Sequence, residues 1–209
     1  MYSHEQAILY MKDMTRILGN DVDAMYFYLA RAKAMYLDRW YPREDARKDL
    51  DRAREIADGI ATKCRRQNCL LFGSYRANIT NWQLYFPIRD WLEGHPLPRD
   101  ETSRLQKWAN ELRDLLKEDW AKQDKYEWTD PADRNLLVPA AFDTLGMSEL
   151  AIGISTNNLS RERCAQAAAD LSIAKEIFHR RLVLYPANYQ DALRISEAHK
   201  ELRDSLCGQ

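Results

Sequence analysis

Four histidines and four cysteines are the side chains of this sequence best suited to proton transfer, nucleophilic attack or metal binding. Their spacing assembles none of these. His4, His95, His179 and His199 are scattered along the chain. His4-Glu5 could pass a proton, but it stands at a chain terminus, where a fixed geometry is seldom held. Glu176-x-x-His179 has the spacing of the carboxylate–histidine motifs of helical metal sites, which need matching residues on several helices. A surface ion pair along one helix explains it better. Glu197 and His199 are two apart and do not share a helix face. Asp21 and Asp23 flank a helix start, where capping and the helix dipole are sufficient reasons for acids. Cys64 and Cys69 neighbour Lys63, Arg65 and Arg66, and cations of this kind depress a thiol pKa. Four residues separate that pair, however, and no second pair completes a zinc set. All four cysteines, Cys164 and Cys207 included, are therefore expected to be reduced and free of zinc. The sequence has no phosphate-binding glycine loop, no H-E-x-x-H and no G-x-S-x-G. No catalytic residue, cofactor-binding residue, metal ligand or cofactor is assigned. Whether the chain is an enzyme stays open, with a non-enzymatic role favoured.

Binding is better served. Tryptophan, tyrosine and phenylalanine number 6, 11 and 5 in 209 residues, and they crowd into a few segments. Such rings bury large areas while keeping a polar handle, and they dominate protein-binding hot spots. Tyr36, Trp40, Tyr41, Trp82, Tyr85 and Trp91 are the candidate protein-binding residues. Packing in an irregular core is the competing explanation for each. The densest basic run, Lys63, Arg65 and Arg66, follows Asp49, Asp51, Glu55 and Asp58, and the formal net charge is -1. Nucleic-acid surfaces need a clustered basic patch, so nucleic acid is not an expected partner. The expected partner is another protein, with a second copy of the chain (a homo-oligomer) among the candidates. Charges interrupt the apolar stretches well short of the roughly 20 residues that span a bilayer. The N-terminal residues lack the basic and apolar regions of a secretory signal. A soluble, cytoplasmic protein without a membrane partner is the resulting expectation.

The elements that must position these residues read as helices throughout. Apolar residues recur at helical spacing over about 3–18, 22–40 and 43–60, with Gly19 and Pro42 at the breaks. On the first helix, Ile8, Met11, Met14, Ile17 and Leu18 mark one side. Residues 70–97 are aromatic-rich and predict a helix kinked at Pro87. Further helices follow over about 100–126, from a cap at Asp130 to Gly153, from a cap at Ser160 to Leu184, and from a cap at Asn188 to Leu206. The fold class is all-α, with about seven or eight helices in antiparallel pairs, as a tetratricopeptide-like solenoid or an irregular helical bundle. One helical domain over 1–209 is expected, with 1–97 and 98–209 as candidate sub-units.

One motif occurs twice. Ala46, Leu50, Ala53, Glu55 and Ile56 have the same spacing as Ala167, Leu171, Ala174, Glu176 and Ile177. Small residues flanking a leucine let a partner helix approach and seat the leucine in its groove. On these residues the sequence resembles the tetratricopeptide family, whose units are helix pairs stacked into a solenoid. Ala34 and Leu37 match the first helix of one unit. Leu145, Gly146 and Gly153 resemble the first helix of another. Pro186 stands where a proline follows a unit, and 188–206 resembles a further or capping helix. Residues 65–130 lack the pattern. The resemblance implies a non-enzymatic interaction module or adaptor that binds a protein through an aromatic-rich helical surface. The alternatives are a small-molecule sensor or enzyme with a pocket between helices, and a nucleic-acid-associated regulator.

Overall fold

The computed structural model describes residues 4–19, 22–38, 41–61, 69–117, 131–182 and 186–208. These form eight helices and no strand: α1 (His4–Leu18), α2 (Val22–Leu37), α3 (Arg43–Ala61), α4 (Cys69–Leu92), α5 (Arg99–Lys117), α6 (Pro131–Ser155), α7 (Arg161–Leu182) and α8 (Pro186–Cys207). The expected all-α class is what the chain adopts. The caps expected at Asp21 and Asp130, and the extension of α5 to about 126, lie outside the described residues.

Local chemistry sets several boundaries. Gly19 adopts φ +65° and its N–H donates to the Thr15 carbonyl at 3.2 Å, a left-handed residue that closes α1. Gly94, at φ +93°, ends α4 in the same way. Ser160 Oγ accepts the Arg163 N–H at 3.3 Å, satisfying a free donor of the first turn of α7. Helix α8 begins at Pro186, two residues before the expected cap, because proline is pre-set for the first helical position and lacks the N–H that would go unpaired there. Pro87 lies inside α4, which continues past it to Leu92.

The chain divides into two compact units, Met1–Gln83 and Leu84–Gln209, with the division inside α4. In the first, α2 packs against both α1 and α3. Ile8, Met25, Leu29, Met35, Leu50 and Ile56 form much of its core. Ala46, Leu50 and Ala53 are buried at 0%, 2% and 0% exposure, as the seam motif requires. A polar strut crosses this core. The Arg31 guanidinium of α2 donates from Nη2 to Asp49 Oδ1 on α3 at 2.6 Å and from Nη1 to Thr15 Oγ1 on α1 at 3.2 Å. That bond explains a departure from expectation. Thr15 is buried, while Ile17, which the periodicity places on the inner side, is 70% exposed. Helix α2 covers the line through Ile8 and Thr15, and a donor in the right place makes the threonine acceptable there.

In the second unit, α7 packs on both α6 and α8, and α5 packs on α6. Ala167, Leu171 and Ala174 are again buried. Their facing residue on α6 is Gly146, where a Cβ would stand 2.6 Å from Leu171 Cγ and 3.1 Å from the Ala167 carbonyl oxygen. The absent side chain is what lets α6 and α7 come this close. Short connections between packed neighbours make α6, α7 and α8 alternate in direction, so the start of α7 lies beside the end of α8. Cys164 in the first turn of α7 and Cys207 at the end of α8 form a disulfide there, with Cα atoms 5.8 Å apart. The expectation of reduced cysteines is corrected for these two. They are 43 residues apart in sequence, and the hairpin geometry that brings them into range has no signature in their spacing. Cys64 and the Cys69 side chain lie outside the described residues.

Among the described residues one stretch, Leu137–Ser155 of α6, is long and apolar enough to cross a membrane, and 78% of its apolar window is buried. Its contacts with α5, α7 and α8 make it the central helix of the second unit.

Candidate functional site

The structure separates the six aromatic candidates. In the first unit Tyr36 is buried at 5% exposure, and the Arg43 guanidinium lies 5.2 Å from its ring centre. Trp82 is half-buried beneath the Lys33 ammonium, 5.1 Å from the ring centre. Tyr41 is half-buried. In the second unit Tyr85 and Trp91 are half-buried, and Arg89 Nη1 donates to the Tyr85 hydroxyl at 3.2 Å. Trp40 lies outside the described residues.

A different set of rings reaches solvent. On α1, Tyr10 is 59% exposed, and on α2 Tyr26 is 48% exposed. Both meet Phe27 edge-to-face, with ring centres 6.1 Å and 6.0 Å apart. Ala7, Tyr10, Met14 and Ile17 follow one another at spacings of three, four and three, which sets them in a stripe along α1. Tyr26, Phe27, Ala30, Ala34 and Leu37 run along the side of α2 opposite its buried residues, and Leu37 is exposed. The two stripes meet at Phe27. A helix that is apolar all round is ordinarily buried all round. Helix α2 carries apolar residues on both sides and, among the described residues, leaves Tyr26 and Leu37 of its outer side exposed. The sequence did not single out Tyr10, because periodicity finds an apolar stripe without telling which part a neighbour covers.

The second unit holds a different constellation, charged and buried. Arg113 Nη2 on α5 donates to Glu149 Oε1 on α6 at 2.8 Å and to Asp170 Oδ2 on α7 at 2.9 Å. Arg163 donates to the other Glu149 oxygen and to Gln106 Oε1 at 3.0 Å. Gln166 completes the set on Asp170 Oδ1 at 3.1 Å. Burial pushes the Asp170 carboxyl above its ordinary value, and the Arg113 hydrogen bond pulls back against it. Two arginines match two carboxylates, and all four carboxylate oxygens have donors. Such a network fixes which helix faces meet; it offers no open acceptor to a ligand. A second, part-buried pair, His199 Nδ1 on α8 and Asp143 Oδ2 on α6, lies at 2.7 Å. Among the described residues no group of three or more His, Cys, Asp or Glu is placed to hold a metal ion.

Comparison with known proteins returns no matching family model, no matching curated protein and no matching solved structure.

Proposed function

We propose that this chain is a non-enzymatic protein-interaction module of tetratricopeptide-like helix pairs, which docks a second copy of itself on the outer side of α1 and α2. The observation that carries the reading is the open ring cluster of Tyr10, Tyr26 and Phe27, extended by Ile17. Contiguous exposed apolar surface of this kind marks interaction sites. Beside the α1 stripe, Asp13 and Arg16 pair at 3.7 Å and cancel each other's charge. A stripe flanked by paired charges suits a symmetric partner, since like patches meet with little repulsion. Bulky Tyr26 at one end of the α2 stripe and small Ala30 and Ala34 in its middle give an antiparallel copy a ring to insert and a place to insert it.

The test is sedimentation velocity over a concentration series, with the full chain and with the Tyr10→Ser/Ile17→Ser/Tyr26→Ser variant. The chain is expected to dimerise and the variant to stay monomeric with unchanged helical circular dichroism. A wild-type chain that is monomeric at every concentration, or a variant that dimerises equally well, overturns the assignment of this face.

A further inference from the structure

Helix α8 lies along α7 and touches α6, but buries few of its described side chains. Of its described side chains, Leu193 and Ser196 are buried, and the others are half-buried or exposed. Leu193 joins Ala174 and Phe178, with Phe142 and Ala192 packed against them. Among the described residues, polar contacts add to this, including the pair between His199 and Asp143 and Lys175 Nζ of α7 with Glu197 Oε1 at 3.3 Å. The same interface contains atoms that work against docking. Ser196 Oγ and Asp143 Oδ1 are buried without a hydrogen-bond partner, and an unsatisfied buried polar atom costs free energy that undocking to water would recover. At the end of this shallowly buried helix stands Cys207, bonded to Cys164, with both residues half-buried and within reach of solvent.

We propose that the Cys164–Cys207 disulfide is a redox clasp on α8. When it is closed, the helix is tethered at both ends, and docking over Phe142, Asp143 and Phe178 has a high effective concentration. Reduction by a cellular dithiol transfers two electrons and two protons. The S–S bond breaks, Cys164 and Cys207 become thiols, and the dithiol leaves as its own disulfide. Helix α8 is then held at its N-terminal end alone. It undocks as a local unit and uncovers the Phe142–Phe178 face, while α5, α6 and α7 stay packed through Leu145, Leu171 and the Arg113 network. The clasp is closed in oxidising compartments and open in the cytosol. This reading is independent of the face on α1 and α2.

Hydrogen exchange followed by mass spectrometry tests it on the full chain, oxidised and then reduced with dithiothreitol. Amides of α8 are expected to exchange about tenfold faster or more after reduction, with protection retained across α5, α6 and α7. The Cys164→Ser/Cys207→Ser variant should show the same pattern without reductant. Three results overturn the proposal. One is unchanged α8 exchange on reduction. Another is simultaneous loss of protection in α5, α6 and α7, which makes the bond a staple for the whole unit. The third is free thiols at both positions in the chain purified under oxidising conditions, read by alkylation and mass.

Discussion

Replacing Gly146 by alanine adds one methyl group to α6, and the structure sets its consequence. The new Cβ would stand 2.6 Å from Leu171 Cγ, 3.0 Å from Leu171 Cδ2 and 3.1 Å from the Ala167 carbonyl oxygen. Leu171 is buried at 1% exposure, between Ala167 and Ala174, which are both fully buried. The Ala167 carbonyl belongs to the backbone of α7 and cannot turn aside as a side chain can. Overpacking of this sort costs about 1–3 kcal/mol. Alanine in place of glycine inside a helix returns up to about 1 kcal/mol of intrinsic propensity. Because the clash includes fixed backbone, the cost falls in the upper half of that range, about 2–3 kcal/mol, and the net expectation is destabilisation by about 1–2 kcal/mol, or a fall in Tm of roughly 2–8 °C for a chain of this size. Gly59 on α3 is the internal control. It is exposed and has nothing within 4 Å of a built Cβ, so the same substitution there should be neutral or stabilising by up to about 1 kcal/mol. Urea denaturation followed by circular dichroism, with hydrogen exchange to assign each loss to its unit, measures both. If Gly146→Ala proves as stable as the parent, or if the two substitutions shift stability in the same direction, the close approach of α6 and α7 is not what requires glycine.

Truncating Leu50 or Leu171 to alanine should cost about 2–5 kcal/mol each, as for a buried leucine on a helix–helix seam. Chemical denaturation checks this, and a loss below about 1 kcal/mol at both sites contradicts the seam. Asp170 gives a pH dependence. Its folded-state pKa is raised, so the folded chain binds this proton more tightly than the unfolded chain. The stabilisation is present below the ordinary carboxyl value of 3.8 and is lost as pH rises through the folded value. Asp170→Asn should remove that contribution to the slope of urea midpoint against pH on the acid side of neutrality. Parallel slopes for parent and variant would show that burial of this carboxyl does not set its titration.

The helices were legible because burial follows a period. Ala46, Leu50 and Ala53, and their counterparts in α7, point inward because residues three and four apart share a face. The stop at Gly19 follows from the backbone freedom of glycine. What joins the helices was not legible. Arg113 reaches carboxylates 36 and 57 residues further on, and His199 meets Asp143 across 56 residues. Nothing local marks these charges apart from solvated ones, since a partner is chosen by the packing and not by the flanking sequence. The same reason hid the disulfide. The aromatic surplus was visible, yet its sorting into core and surface was not. Tyr36 lies on the covered side of α2 and Tyr26 on the open side, ten positions earlier on the same helix.

The disulfide also changes what a cut in the backbone means. Helices α7 and α8 form a closed covalent ring from Cys164 to Cys207, so a protease that severs one peptide bond inside the ring produces two ends and no separate fragment. The nicked chain would migrate at full size until its disulfide is reduced, and only then part into two pieces. Cleavage within this region can therefore be silent in the oxidised protein. Loss of α8 from the molecule requires two separate chemical events.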